Sequence, residues 1–271
     1  MEQPKKNLKI VSDKKARMIL PNAVTLIGVC IGLSSIKFAL DGKFALAIIA
    51  IVFAALMDAL DGRIARLIKG TSEMGKELDS LADVISFGVA PAFIMYFWSL
   101  QYIAKVGWLV CLIWVVCTAL RLARFNVNSS VESSWKSNFF EGVPSPAGGI
   151  IVISPLILSL SGLDKFYINI NINYEMLVLS LFIITSILLI SKIPTYSFKK
   201  IVIPRKLTVF LLFGIVLYFG LLLIYTFKIM AVSIMVYICL IPFSIIHYQK
   251  MKKQKKDDNT KEELEDLEDI L

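Results

Sequence analysis

Acid is scarce in this chain of 271 residues. Lys plus Arg is 29 and Asp plus Glu is 21, a formal net charge of +8. Even that understates the imbalance, because the segment from Asp257 to Leu271 holds eight acids and one lysine. The first 256 residues therefore carry 28 basic and 13 acidic groups, a net of +15, and six of the 13 acids lie between Asp58 and Asp83. Cysteine and histidine are also few. Cys30, Cys111, Cys117 and Cys239 all sit in apolar runs without zinc-ligand spacing, so they read as small buried hydrophobes. His247 is the single histidine, which excludes a His-rich metal site or a His-based catalytic dyad. Charged residues make up 18% and apolar residues 57%, against roughly 25% and 45–50% in soluble domains. Both departures exclude a disordered chain, a secreted disulfide scaffold and an ordinary soluble enzyme, and both point to a membrane.

What is present in abundance is long apolar runs. A spanning helix needs about 20 mostly apolar residues. Eight segments qualify, at roughly 22–40, 44–60, 81–104, 106–123, 147–163, 174–192, 207–227 and 229–248. In lipid the backbone must satisfy itself within each segment, so the expected fold class is an all-α polytopic membrane protein of about eight helices. Asp41-Gly42-Lys43 reads as a tight turn between the first two spans, and the last two are separated only around Lys228. Pro155 and Gly162 are expected to interrupt the fifth. The N-terminal stretch is too polar and too long before the first apolar run for a cleaved signal peptide, so the first span is expected to stay in the mature protein.

Basic residues give the orientation. The N-terminus, the loops after the second, fourth and sixth spans, and the C-terminal segment together hold 24. The opposite loops hold only Lys43, Lys105, Lys165 and Lys228. Both termini are thus expected on the cytoplasmic side of the cell membrane. Residues 14–20 could form a short basic helix on the anionic inner leaflet, or simply a solvated flank. The segment from Lys250, a basic block followed by an acidic one, is expected to be a disordered or loosely helical extension. The chain divides into a basic N-terminal segment (1–20), a membrane core (21–192), a cytoplasmic loop (193–206), two further spans (207–248) and a charged tail (249–271).

The acidic cluster carries the chemistry. Asp58 and Asp61 are three apart at the cytoplasmic end of the second span; Asp79 and Asp83 are four apart at the start of the third. These spacings put each pair on one helical face, and the short connection makes the two helix ends neighbours. Four converging carboxylates would repel one another, and one or two hard divalent cations (Mg²⁺, Ca²⁺ or Mn²⁺) are their natural partner. Gly62, Ala65 and Gly75 are small enough to admit a ligand close to the backbone, and Arg66 offers a planar fork for phosphate oxygens. Together these residues describe a site for a pyrophosphate-bearing nucleotide. An ion path would be the rival reading for membrane acids, but these lie at helix ends on one face, with no internal repeat.

The run Asp58-Ala59-Leu60-Asp61-Gly62-Arg63-Ile64-Ala65-Arg66, continued by Gly75-Lys76-Glu77-Leu78-Asp79-Ser80-Leu81-Ala82-Asp83, resembles the CDP-alcohol phosphatidyltransferase signature D-x2-D-G-x2-A-R-x8-G-x3-D-x3-D at every fixed position. The resemblance covers about the first 190 residues, with the last two spans as an addition to a six-helix core. It implies a reaction in which an alcohol hydroxyl attacks the β-phosphorus of a CDP-linked lipid and CMP leaves. It implies one cation held by Asp58, Asp61 and Asp79, a second held by Asp58, Asp79 and Asp83, and Asp83 as general base. Gly62, Arg66 and Ser72 fall where the family contacts the CDP-lipid, and Pro21-Asn22-Ala23-Val24-Thr25 is similar to the family's P-N-x-x-T segment on the cytidine side. Asn22 could alternatively cap the first span. Mg²⁺ and Mn²⁺ are not distinguished by four carboxylates.

Four flanking segments narrow the acceptor. Residues 86–92, 121–127, 140–147 and 191–199, taken in order, resemble the membrane-type phosphatidylserine synthase branch of that family. Serine as acceptor requires recognition of a carboxylate and an ammonium. Arg121, Arg124 and Lys199 are candidate partners for the carboxylate, Glu141 for the ammonium, and Asn126 for either. Glycerol 3-phosphate or inositol phosphate would be the alternative acceptors. The implied partners are CDP-diacylglycerol, L-serine, membrane lipids and a second copy of the chain, with no nucleic acid.

Overall fold

The computed structural model describes residues 13–68, 70, 72–128, 139–163, 174–196 and 205–268. Lys199 and residues 1–12 of the basic N-terminal segment lie outside the described residues. The chain forms two compact units, Met1–Ala123 and Arg124–Leu271.

The first unit opens with α1 (Asp13–Leu40), which joins α2 (Phe44–Leu67) through the expected turn. There Gly42 has φ +73°, a conformation a side chain would disfavour. Lys37 and Asp41 pair across the end of α1. Residues 14–20 are not a separate surface helix, because they are the first turns of α1, which runs through Pro21. Next come α3 (Glu73–Asp83), a π-helical turn (Val84–Val89) and α4 (Ala90–Trp98), one continuous span of 26 residues. This helix begins eight residues before the expected start at 81. Hydropathy sees only the apolar stretch, whereas the helix is set by a polar cap: Ser72 Oγ accepts from the backbone N–H of Gly75 at 3.0 Å. After a 3-10 turn at Leu100–Ile103, α5 (Ala104–Asn128) carries the chain across the unit boundary.

Small residues let these helices approach. A Cβ on Gly32 of α1 would lie 2.5 Å from Ser86 Oγ, and one on Gly88 would lie 3.2 Å from Thr118 of α5. Both contacts fall on the π-helical turn. The Gly88 carbonyl accepts from the Trp114 indole at 3.0 Å, and Trp114 is fully buried. The core of this unit is Ala47, Ile48, Ile51 and Ala54 of α2 with Phe87, Ile94 and Met95. The outer faces show Leu26, Ile27 and Leu33 of α1 and Leu109, Leu112 and Ile113 of α5, as lipid-facing surfaces require.

In the second unit, α6 (Ser145–Ser161) and α7 (Tyr174–Ile190) pack on each other, and α6 packs on α9 (Thr226–Glu268). Pro155 does not break α6, and Gly162, at φ +70°, ends it rather than interrupting it. Two three-residue strands, β1 (Phe139–Glu141) and β2 (Pro194–Tyr196), pair antiparallel. They are a small ribbon beside the helices of the described residues. Gly142 has φ +79°, and a Cβ there would lie 2.8 Å from the Leu189 carbonyl at the end of α7. α8 (Arg205–Ile224) packs on α9, and none of Leu207–Ile224 is buried. The break between α8 and α9 is at Tyr225, not around Lys228, and Lys228 instead sits over the Tyr225 ring. The tail is helical to Glu268, a more regular continuation than its charge blocks suggested.

Among the described residues six helices are long and apolar enough to cross a membrane, and two shorter apolar ones, Ser145–Ser161 and Glu175–Ile190, bring the total to the eight expected segments. The protein is an all-α polytopic integral membrane protein.

Candidate active site

The acids meet where the ends of α2 and α3 both lie against α1. A turn of helix separates Asp58 from Asp61, so both face the same side; Asp79 approaches from α3. Asp58, Asp61 and Asp79 each offer a carboxylate oxygen, and these oxygens lie within 4.8 Å of one another. Asp61 is only 3% exposed. Asp83 borders a small cavity together with Asp58 and Asp61. Asp83 is thus adjacent to the three-carboxylate group, one turn further along α3. The donor set fits a hard divalent cation: every ligand is an oxygen, and close carboxylates in partly buried positions require a positive partner.

Beside the carboxylates lies a cleft of about 150 Å³. Its walls are Pro21, Asn22 and Thr25 of α1, Asp61, Gly62 and Ala65 of α2, and Ser72, Gly75 and Asp79 at the start of α3. Seven of the eight residues expected to touch the CDP-lipid therefore share one cavity. Arg66 is the exception; its Nε donates to the Gly62 carbonyl one turn back, at 2.9 Å. Asn22 is not a cap, since α1 begins nine residues earlier. Its role is local to the cleft: a Cβ on Gly75 would sit 3.1 Å from Asn22 Oδ1 and 3.1 Å from Ser72 Oγ. Gly75 is small because Asn22 of α1 and the Ser72 cap of α3 both crowd it.

Two cleft residues went unremarked in the sequence. Gly70 lies in the α2–α3 connection, and Lys76 lies in the first turn of α3, where it pairs with Glu73 at 3.0 Å. The position of Lys76, directly after Gly75, was the available signal. Thr25 shows a second unanticipated feature: it is buried, and its hydroxyl donates to Asp61 Oδ2 at 2.6 Å. A smaller cavity, about 10 Å³, is bordered by Thr25, Asp58, Asp61, Asp83 and Ser86.

The candidate serine-binding residues are more dispersed. Arg121 is buried on α5 in the first unit, at 7% exposure. Arg124, Asn126 and Glu141 belong to the second unit. There the Arg124 guanidinium donates to the carbonyls of Ile190 at 2.8 Å and Ser191 at 3.5 Å, at the C-terminal end of α7. Those carbonyls are among the acceptors a helix end leaves unsatisfied, so Arg124 serves there as a cap. Asn126 lies in the last turn of α5, and Glu141 pairs with Pro194 across the ribbon.

The cleft and its carboxylates define a class of protein, and comparison with known families agrees. The model of the CDP-alcohol phosphatidyltransferase family matches residues 18–194, and the chain belongs to that family. Among curated proteins, it is 37% identical over 239 residues to a CDP-diacylglycerol–serine O-phosphatidyltransferase of Mycobacterium leprae, covering 86% of this chain and 76% of that one. It is 36% identical over 201 residues to the protein of the same name from Helicobacter pylori, covering 74% and 81%. An archaetidylserine synthase of Methanothermobacter thermautotrophicus is 34% identical over 183 residues, covering 66% and 73%.

Proposed function

We propose that the chain is a divalent-cation-dependent CDP-diacylglycerol–serine O-phosphatidyltransferase. It transfers the phosphatidyl group of CDP-diacylglycerol to the hydroxyl of L-serine and releases CMP. The observation that carries this reading is the convergence of Asp58, Asp61 and Asp79 on the cleft that holds the small-residue signature. Serine as the acceptor is supported by the relatives from three organisms.

In this reading Asp58, Asp61 and Asp79 hold one cation, Mg²⁺ or Mn²⁺, and Asp58, Asp79 and Asp83 hold a second. Bound cations neutralise the pyrophosphate and the charge that develops on departing CMP. Asn22, Gly62, Ala65, Ser72 and Gly75 admit the nucleotide against the helix backbones. Asp83 takes the proton of the serine hydroxyl as its oxygen bonds to the phosphorus and the bond to CMP breaks. No covalent nucleophile is needed for such a direct displacement. Arg121, Arg124 and Lys199 are the candidates for the serine carboxylate, and Arg121, buried on α5, is the one tested first. The site and both termini face the cytoplasm, in keeping with the basic residues of the connecting loops, and two copies associate in the cell membrane.

The deciding experiment is CMP release from CDP-diacylglycerol by the purified protein in detergent micelles. Release should require serine, stop on addition of chelator and return with Mg²⁺ or Mn²⁺. Release driven by glycerol 3-phosphate or inositol phosphate instead of serine would overturn the acceptor, and chelator-resistant release would overturn the cation requirement.

A further inference from the structure

The Thr25–Asp61 hydrogen bond assigns Thr25 a role apart from any contact with the nucleotide. Thr25 Oγ1 has one proton and two acceptors in reach: the Pro21 carbonyl at 3.1 Å and Asp61 Oδ2 at 2.6 Å. The Pro21 carbonyl is one turn back in α1 and has a helical N–H partner available to it. The carboxylate is nearer and charged, so it takes the proton, since hydrogen bonds to ionised acceptors are shorter and stronger than neutral ones. Both residues are buried, Thr25 at 6% and Asp61 at 3% exposure, so water competes little for this bond. Threonine is also stiff about χ1, and here the hydroxyl is mounted on a different helix from the acid it holds. Asp61 is therefore held from a second helix, the one that carries the cytidine-side segment.

We propose that Thr25 is a positioning residue for the cation site: it sets the rotation of the Asp61 carboxylate before a cation arrives, and thereby raises cation affinity. The inference rests on the reading of Asp58, Asp61 and Asp79 as cation ligands. Groups that orient metal ligands in this way typically change affinity by about 10–100-fold when removed. A residue that only touched the nucleotide would leave cation binding in the absence of lipid substrate unaltered.

The test is Mn²⁺ titration of the full-length protein in detergent, without CDP-diacylglycerol, followed by the paramagnetic resonance signal of free Mn²⁺. Thr25→Val keeps the shape and loses the hydroxyl; Thr25→Ser keeps the hydroxyl; Thr25→Ala is a second hydroxyl-free variant should the valine protein not fold. Thr25→Val or Thr25→Ala should weaken Mn²⁺ binding by about 10–100-fold. Thr25→Ser should restore most of it, and raising Mn²⁺ should recover turnover in the valine variant. Unchanged Mn²⁺ affinity in both hydroxyl-free variants overturns the proposal, as does equal weakening in the serine variant, which would mark a packing effect. Wild-type protein that takes up no Mn²⁺ would overturn the cation-site reading itself, a result distinct from either.

Discussion

At the scale of single residues, Asp83 carries two proposed roles, as a ligand of the second cation and as the acceptor of the serine proton. Asp83 lines a small cavity with Asp58 and Asp61 but stands outside the group of three converging oxygens. That position suits a proton acceptor at the rim. Asp83→Asn should reduce serine-dependent CMP release by at least about 10²-fold, the lower range for loss of a general base. Binding of CDP-diacylglycerol, followed by equilibrium dialysis of the labelled lipid in micelles, should persist. Near-normal turnover in this variant would remove Asp83 from the role. Arg121 makes a different prediction. A lysine cannot reproduce the planar fork of a guanidinium against a carboxylate. Arg121→Lys should therefore raise the KM for serine by about tenfold, equivalent to about 1.4 kcal/mol, with little change in the KM for CDP-diacylglycerol. Equal changes in both constants would point to a general distortion of α5 instead.

At the scale of elements, α1 is the keystone. It packs on α2, on α3 and on the π-helical turn, and so carries one wall of the cleft against both acid-bearing helices. The close fit depends on Gly32. A Cβ there would lie 2.5 Å from Ser86 Oγ and 3.1 Å from Ser86 Cα, the latter a backbone atom that cannot rotate away. Gly32→Ala should destabilise the protein by about 1–3 kcal/mol, the usual range for overpacking a tight core. It should also lower turnover, because α1 and the π-helical turn that follows α3 must shift apart. Gly214 on α8 is the control, since nothing lies within 4 Å of a Cβ built there. Gly214→Ala should leave thermal stability in detergent equal or slightly higher, as alanine is the better helix former. Thermal unfolding of the two variants side by side checks the contrast.

Much at this scale was legible beforehand, and the misses share a cause. Hydropathy located eight apolar segments because burial in lipid demands them wherever they pack. It misjudged ends that depend on capping and turn chemistry. Ser72 starts α3 in polar sequence, Gly162 closes α6 through a left-handed residue, and Tyr225 rather than Lys228 marks the break before α9. The ribbon of β1 and β2 had no signal at all: three residues are too few to show an alternating pattern, and the paired residues Glu141 and Pro194 are far apart in sequence.

At the scale of the whole molecule, the charge distribution makes the testable statement. The protein carries 24 basic residues on one set of connections and termini against four on the other. Cysteines placed at Gly42 and Lys105 should react with a membrane-impermeant maleimide in intact cells. A cysteine at Lys256 should react only after permeabilisation. Of the native cysteines Cys111 and Cys117 are buried, but Cys30 and Cys239 are exposed on apolar helix faces rather than buried as expected, so both are replaced by serine in the labelling background. The opposite labelling pattern would invert the topology and move the carboxylate site to the outer face.

The linear chain by itself determined the class of molecule, the number of apolar segments and the identity of the four acids. Those properties depend on composition, on the length of apolar runs and on helical spacing, all of which are local. Tertiary structure alone decided which small residues are needed, what Thr25 holds, and that Arg124 is engaged at the end of α7 while Arg121 is buried on α5. Each of those is a contact between residues distant in sequence: 36 positions for Thr25 and Asp61, and 66 for Arg124 and Ile190. Such a pairing exists only once helices have docked, because it is close packing that selects which polar atoms are left facing one another.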